Sequence, residues 1–275
     1  MSIVNRELKD KVVVITGASS GIGKACAEVF AAQGCKVMLS ARQTDKLQYI
    51  EFHLKQKGYD VATCTSDVSK EDDCRNLIIE TINRFGKIDV LICNAGISMR
   101  ALFEAADLDV IRRVMDVNFW GTVYAAKFAL PWLLKSKGSI VGMSSIAGTK
   151  GLPGRSGYSA SKFAMEGFLE TLRTENLKKD LHVLVARPGF TASNIRNTAL
   201  GNDGTSQGES PRDEKEMMSA EEVATHIFHA VKNRKRDLVL TTNGKLVVLL
   251  NKFFPALMDK AVYNHFAKEK DSPVK

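Results

Sequence analysis

Lys11-Val-Val-Val-Ile-Thr-Gly-Ala-Ser-Ser-Gly-Ile-Gly-Lys-Ala-Cys26 is the stretch on which the fold turns. Lys11 to Ile15 is dominated by β-branched residues and reads as a buried strand. Gly21 to Gln33 has helical spacing, with Gly34 placed to end it. Between the two lies a turn carrying Gly17, Gly21 and Gly23. Gly17 suits a tight turn, Gly21 lets backbone approach a pyrophosphate, and Gly23 lets helix and strand pack closely. The amides that open the helix then face the phosphates with a partial positive charge. Gly17, Ser19, Ser20, Gly21, Ile22 and Gly23 are therefore the candidate cradle of a dinucleotide. A glycine-rich turn without ligand is the plain alternative. The spacing before Lys24 is not that of a P-loop NTPase.

Working outward, short apolar runs alternate with helix-period segments. Strands are expected at Lys36–Ser40, Asp60–Thr65, Asp89–Cys93, Ser139–Met143 and Leu181–Ala186, with a seventh at Asp237–Leu240. Helices are expected at Thr44–Lys57, Lys70–Phe85, Leu108–Lys135 (kinked at Pro131) and Gly157–Lys179. Such alternation predicts an α/β fold, a single doubly wound parallel sheet of Rossmann type with helices on both faces. Ligands of such sheets bind beyond the carboxyl ends of the strands. The loops starting at Thr16, Ala41, Ser66, Asn94, Ser144 and Arg187 are thus where chemistry is expected.

Composition narrows the class. The 275 residues are 44% hydrophobic and 25% charged, which excludes a wholly disordered or collagen-like chain. The opening residues have no secretory pattern, and no apolar run is long enough to span a bilayer. The five cysteines are odd in number and lack CxxC spacing, so no zinc or redox motif and no metal site is expected; a reducing, cytoplasmic compartment is the simplest reading. The net charge is +8, but residues 232–275 hold ten basic against four acidic side chains, leaving 29 against 27 in the rest. A near-neutral body with a basic tail argues against nucleic-acid binding and leaves open contact with an acidic membrane surface.

Two further features carry chemistry. A dinucleotide site that leaves the ribose 2′-hydroxyl free expects an acid about 20 residues after the glycine turn. Here the second strand ends Leu39-Ser-Ala-Arg42. A guanidinium suits a 2′-phosphate, so Arg42 favours NADP(H) over NAD(H), a solvated surface arginine being the alternative. Tyr158-Ser-Ala-Ser-Lys162 puts a phenol and an ammonium on one helix face. A charge close by is expected to lower the phenol's pKa toward neutrality, which would fit it for proton exchange; an exposed i,i+4 pair is the bland reading.

Thr16-Gly-x-x-x-Gly-x-Gly23, Asn94-Ala-Gly96, Asn118, Ser145, Tyr158-x-x-x-Lys162 and Pro188-Gly189, in this order, resemble the short-chain dehydrogenase/reductase family from about Lys9 to Val239. The resemblance implies an NADP-preferring oxidoreductase that moves a hydride between NADP(H) and a carbonyl or secondary alcohol. It implies that Tyr158 is the general acid/base and that Lys162 lowers its pKa and holds the nicotinamide ribose. It makes Ser145, rather than Ser144, the ligand of the substrate oxygen, and Asn118 the holder of a water in a proton relay. By the same resemblance Asp67 and Val68 contact adenine, while Asn94, Ala95 and Gly96 line the cofactor cleft. Pro188, Gly189 and Thr191 lie near the nicotinamide. Ser20 departs from the pattern of relatives with a basic residue in the glycine turn, leaving Arg42 as the single basic determinant.

The rest bears on substrate and assembly. Residues 1–244 are expected to form the dinucleotide-binding and catalytic domain, and 245–275 a basic, apolar helical extension. Thr191–Lys215, with its polar 201–210 stretch, is expected to be a mobile loop, and Phe190 to about Met218 a lid, with Met217 and Met218 either lid contacts or ordinary packing. Leu246, Leu249, Leu250, Phe253, Phe254 and Leu257 recur at helical spacing. They fit packing on the body or a subunit interface, peripheral membrane contact, or a cap over a lipid-like substrate. The resemblance implies a homodimer or homotetramer built on the Tyr158 helix, where Phe163, Met165, Phe168 and Leu172 supply enough apolar residues for both core and interface. A catalytically silent NADP(H)-binding or membrane-associated protein on the same fold is the competing function.

Overall fold

The computed structural model describes residues 7–192, 194–208, 217–269 and 271–274. Seven strands form one sheet in the order β3-β2-β1-β4-β5-β6-β7, every pairing parallel. They are β1 (Val12–Thr16), β2 (Lys36–Ala41), β3 (Val61–Thr65), β4 (Val90–Cys93), β5 (Ser139–Met143), β6 (His182–Arg187) and β7 (Asp237–Val239). Since the chain winds outward from β1 in both directions, β1 and β4 flank the point where the strand order reverses, and the crevice of such sheets opens there.

Alternation along each strand divides the core into two layers. Val13, Ile15, Val90, Ile92, Val141 and Leu184 face one side, against α1 (Gly21–Ala32), α2 (Thr44–Gln56) and α7 (Ala220–Lys232). Val14, Leu91, Ile140, Val183 and Val185 face the other, against α3 (Glu71–Phe85), α5 (Gly121–Ser136) and α6 (Ser156–Glu175). Phe30 of α1 and Phe228 of α7 meet edge to face at 5.2 Å. The helix ends follow their sequence. Glu71, Asp72 and Asp73 occupy the first turn of α3, where they complement the helix dipole. Ser219 and Glu222 close a capping box on α7.

The structure corrects the helix expected at Leu108–Lys135 and adds detail to the expected loop and tail. The helix expected across Leu108–Lys135 is α4 (Leu108–Met115), a π-helical segment Asp116–Trp120, and α5, which runs through Pro131. The departure from α geometry falls at Asn118 rather than at the proline. The segment after β6 is pinned in part: Leu200 is buried and bridges both Met99 and Ser206, and Thr191 bridges Met218. The remainder of the expected loop, 209–216, lies outside the described residues, as does Ser193. The tail forms two helices, α8 (Thr242–Phe253) and α9 (Pro255–Ala267), because Pro255 opens a new helix. All five cysteines are buried thiols. Burial pushes those of Cys26, Cys35, Cys74 and Cys93 up to about 12.

Candidate active site

With all strands parallel, their carboxyl ends share one edge, and every candidate residue of the sequence lies on it or on a helix that starts there. The glycine turn is built by exclusion. A Cβ on Gly23 would lie 2.3 Å from the Gly17 carbonyl oxygen and 2.4 Å from Asn94 Nδ2. Gly17 has φ +66°, and a Cβ there would lie 2.8 Å from Ala95 Cα. Asn94 fastens the turn from β4: its Nδ2 donates to Thr16 O at 2.9 Å and Gly17 O at 3.2 Å. Thr16 Oγ1 accepts from the amides of Asn94 (3.0 Å) and Ala95 (3.1 Å). Asn94 and Ala95 thus tie the cradle to the crevice. At the start of α1, Ser20 makes no side-chain cap and no acid stands in the first turn. The first amides of this helix therefore keep their capacity to bind an anion.

The neighbouring loops complete the groove. The Ala18 amide donates to Ser40 O at 2.9 Å, joining the glycine turn to the end of β2; exposed Arg42 follows two residues on. Lys24 pairs with Glu28 at 3.7 Å. Asp67 Oδ1 accepts from the Ser69 amide and hydroxyl, while Val68 is buried against Gly121. Thr191 is buried, its hydroxyl 3.3 Å from Gly189 O.

Tyr158 and Lys162 stand one turn apart on α6, with Lys162 Nζ 5.6 Å from the centre of the phenol ring. The ammonium is buried and donates to Met143 O at 2.7 Å. Burial lowers its pKa to about 8, with Glu166 opposing. The phenol departs from expectation: its pKa is raised, because burial outweighs the Ser145 hydroxyl bonded to it and the more distant charge of Arg155. Ser145 Oγ also accepts from the Ala147 amide at 3.2 Å. Ser144 points elsewhere, donating to Glu166. Asn118 Oδ1 accepts from the Ile97 amide at 2.8 Å, and its Nδ2 donates to Ile97 O and Ser161 Oγ, each at 2.9 Å. A Cβ on Gly96 would come within 3.2 Å of Asn118 Oδ1 and 3.6 Å of Lys162 Nζ, so both side chains converge on that glycine. The π-helical turn is what carries Asn118 there.

An open cavity of about 420 Å³ borders the first turn of α6 and is lined by Val262 and Tyr263 of α9. Sequence reasoning missed Glu166 and Arg187, which adjoin this site. The signal for Glu166 was present, since Tyr158, Lys162 and Glu166 recur every fourth residue on one helix face. It also missed Thr241, a β-branched residue at φ +64° that caps α8 and packs against Gly189; nothing in its local sequence announces that backbone.

The short chain dehydrogenase family model matches residues 11–203, which include Tyr158 and Lys162. The chain belongs to the short-chain dehydrogenase family. It is an oxidoreductase of that family, moving a hydride between a nicotinamide cofactor and an alcohol or carbonyl compound. Dehydrogenase/reductase SDR family member 7B of Rattus norvegicus is 36% identical over 273 residues, covering 96% of this chain and 84% of the relative. The 11-beta-hydroxysteroid dehydrogenase 1A of Arabidopsis thaliana is 42% identical over 196 residues, covering 70% of this chain and 56% of the relative. Among solved structures, a short-chain dehydrogenase/reductase from Burkholderia phymatum in complex with NAD superposes with TM-score 0.82 at 25% identity over 92% of this chain and 96% of its own. The alcohol dehydrogenase of Thermococcus sibiricus, complexed with 5-hydroxy-NADP, does so with TM-score 0.74 at 28% identity over 83% and 93%. Among the described residues of this short-chain dehydrogenase, no helix is long and apolar enough to cross a membrane.

Proposed function

We propose that this short-chain dehydrogenase is an NADP(H)-dependent ketoreductase in which Tyr158 gives its proton to the carbonyl oxygen of the substrate. The observation that carries the reading is the convergence of Tyr158, Ser145, Lys162 and Asn118 at one end of the sheet, beside a glycine turn whose helix keeps its first amides uncapped. The dinucleotide would be held by Gly17, Ser19, Ser20, Gly21, Ile22 and Gly23 at its pyrophosphate. Asp67 and Val68 would flank the adenine, and Asn94, Ala95, Gly96, Pro188, Gly189 and Thr191 would hold the nicotinamide half. When bound, it supplies the hydride.

The protein's own part is proton placement. A phenol whose pKa lies above its ordinary value stays protonated near neutrality, so Tyr158 enters carbonyl reduction as an acid. The Ser145 hydroxyl shares the substrate oxygen and steadies the phenolate as it forms. Lys162, charged below about pH 8, adds a positive field at the same place. Arg42, exposed at the end of β2, would take the 2′-phosphate and so favour NADP(H) over NAD(H). Tyr158→Phe tests the reading. NADPH oxidation over a carbonyl panel is expected to fall by about 10²–10⁴-fold with the circular dichroism unchanged. Full rate in that variant refutes the acid/base role, whereas a wild-type protein that binds NADPH but oxidises none of it over the panel favours a silent binding protein.

Surface features support two further assignments. Phe163 of α6 and Trp120 beside α5 are 47% and 43% exposed, a site for assembly into a homodimer or homotetramer through these helices. On the extension beyond residue 244, Val247 and Leu250 pack inward with Met258, Val262 and Phe266, while Leu246, Leu249, Phe253, Phe254 and Leu257 stay exposed. Lys245 and Lys252 flank that outer face, and the chain carries no acid between Asp237 and Asp259. An apolar face with basic edges suits peripheral contact of a cytoplasmic protein with an anionic membrane, from which a lipid-like carbonyl substrate would come.

A further inference from the structure

Glu166 sits two helical turns beyond Tyr158, one beyond Lys162, on the same face of α6. Its side chain is only 14% exposed, and both oxygens are engaged. Oε1 accepts from Ser144 Oγ at 2.5 Å and from Arg187 Nε at 2.9 Å; Oε2 accepts from Arg187 Nη2 at 2.7 Å. Arg187 also reaches Asp237 of β7 at 2.7 Å. A Cβ on Gly148 would lie 2.4 Å from the carboxylate and 2.5 Å from Ser144 Oγ, so the turn after Ser145 is packed directly onto this knot. Ser144 precedes Ser145, and Arg187 precedes the Pro188-Gly189 turn. One carboxylate therefore touches a neighbour of each wall of the site.

We propose that Glu166 is a positioning residue of this active site, fixing Ser145 through Ser144 and the Pro188-Gly189 turn through Arg187, while setting the electrostatic field at Lys162. The proposal rests on the Tyr158–Lys162 reading for its catalytic meaning, but its physical content stands apart from it. The groups facing Lys162 are Tyr158 and Glu166 on its own helix, Cys93 of β4, the Met143 carbonyl of β5 and the neutral amide of Asn118; Arg187 of β6 acts through Glu166. Of these, Glu166 favours the charged amine most; Arg187, bonded to both oxygens of that carboxylate, carries the opposite charge and so is expected to moderate it.

Two amide substitutions separate this role from bulk damage, because they act in opposite directions. In Glu166→Gln the favourable charge is gone; in Arg187→Gln the carboxylate is left unmoderated. The readout, which needs neither cofactor nor substrate, is urea unfolding of the full chain between pH 6 and 11, each variant compared with its Lys162→Met counterpart. In the wild type the Lys162-dependent rise in stability begins near pH 8. It is expected to begin about 1 pH unit lower in Glu166→Gln and higher in Arg187→Gln, with Glu166→Asp close to the wild type. If either amide variant loses its cooperative transition, the other and Glu166→Asp still read the coupling. An onset that stays put, or moves the same way in both, overturns the electrostatic role. The positioning role predicts that kcat with NADPH and the fastest-reduced carbonyl of the panel falls about tenfold in Glu166→Gln and recovers in Glu166→Asp; an unchanged kcat overturns it. Tyr158→Phe, run in parallel, reports on the acid/base reading independently of either result.

Discussion

At the scale of single residues, the cost of a buried charge is set against its use. Lys162 is buried, and its pKa drops from the 10.5 of a free lysine to about 8. Between those two values the unfolded chain holds a proton that the folded chain has released, so stability rises with pH across that window. Below it, the fold bears a penalty of about 3 kcal/mol for keeping the amine charged. Lys162→Met removes the penalty. At pH 7 it is expected to resist urea better than the parent by about 2 kcal/mol, allowing for the lost bond to Met143, with the gap closing by pH 10.5. A variant no more stable than the parent at pH 7 would contradict this. Arg42 is the opposite case, exposed and cheap. Arg42→Ala is expected to raise KM for NADPH about 10- to 100-fold, the worth of one charged hydrogen-bonded pair, and to leave KM for NADH unchanged. Equal effects on both cofactors would remove the NADP(H) preference.

Helices and turns show where local signals suffice. The strand–glycine–helix unit was legible because its residues act on their immediate neighbours: Gly17 needs its left-handed backbone wherever the turn is placed. The reason for Gly23 is only half local, since the Asn94 side chain that crowds it comes from β4. Gly23→Ala is expected to push the turn off Asn94 and to weaken NADPH binding at least tenfold, measured by quenching of tryptophan fluorescence. Unaltered affinity would mean that the cradle tolerates a methyl group. The π-helical turn at Asp116–Trp120 was not legible. Apolar spacing across 108–135 fits one helix, and only the docking of Asn118 onto Ile97 and Ser161 selects the wider turn. The helical spacing of the tail was legible, and Pro255 divides it into two helices.

For the molecule as a whole, the extension beyond residue 244 is held to the body by side chains from distant segments. Buried Glu269 pairs with Arg155 at 3.3 Å, Arg155 stacks over Phe266 at 4.6 Å, and Lys150 pairs with Asp259. These contacts fix the inner face of α9, Asn251 Nδ2 ties α8 by donating to Thr149 O at 2.9 Å, and the outer face of Leu249 and Phe253 is left to solvent. Leu249→Glu/Phe253→Glu is expected to keep the wild-type melting temperature while reducing co-sedimentation with phosphatidylserine vesicles roughly tenfold. No sedimentation of the wild-type protein would exclude the membrane face.

The sequence by itself determined the parallel sheet and the elements whose loops hold the candidate chemistry. Strand composition, glycine spacing and the four-residue step from Tyr158 to Lys162 are local properties that survive any packing. Tertiary structure alone decided the electrostatics. The phenol is raised rather than lowered because burial, a property of the packed protein, outweighs the Ser145 hydroxyl bonded to it and the charge of Arg155. Glu166 reaches its partners only because β5 and β6 lie side by side, bringing Ser144 and Arg187 to one carboxylate across forty-three residues of chain.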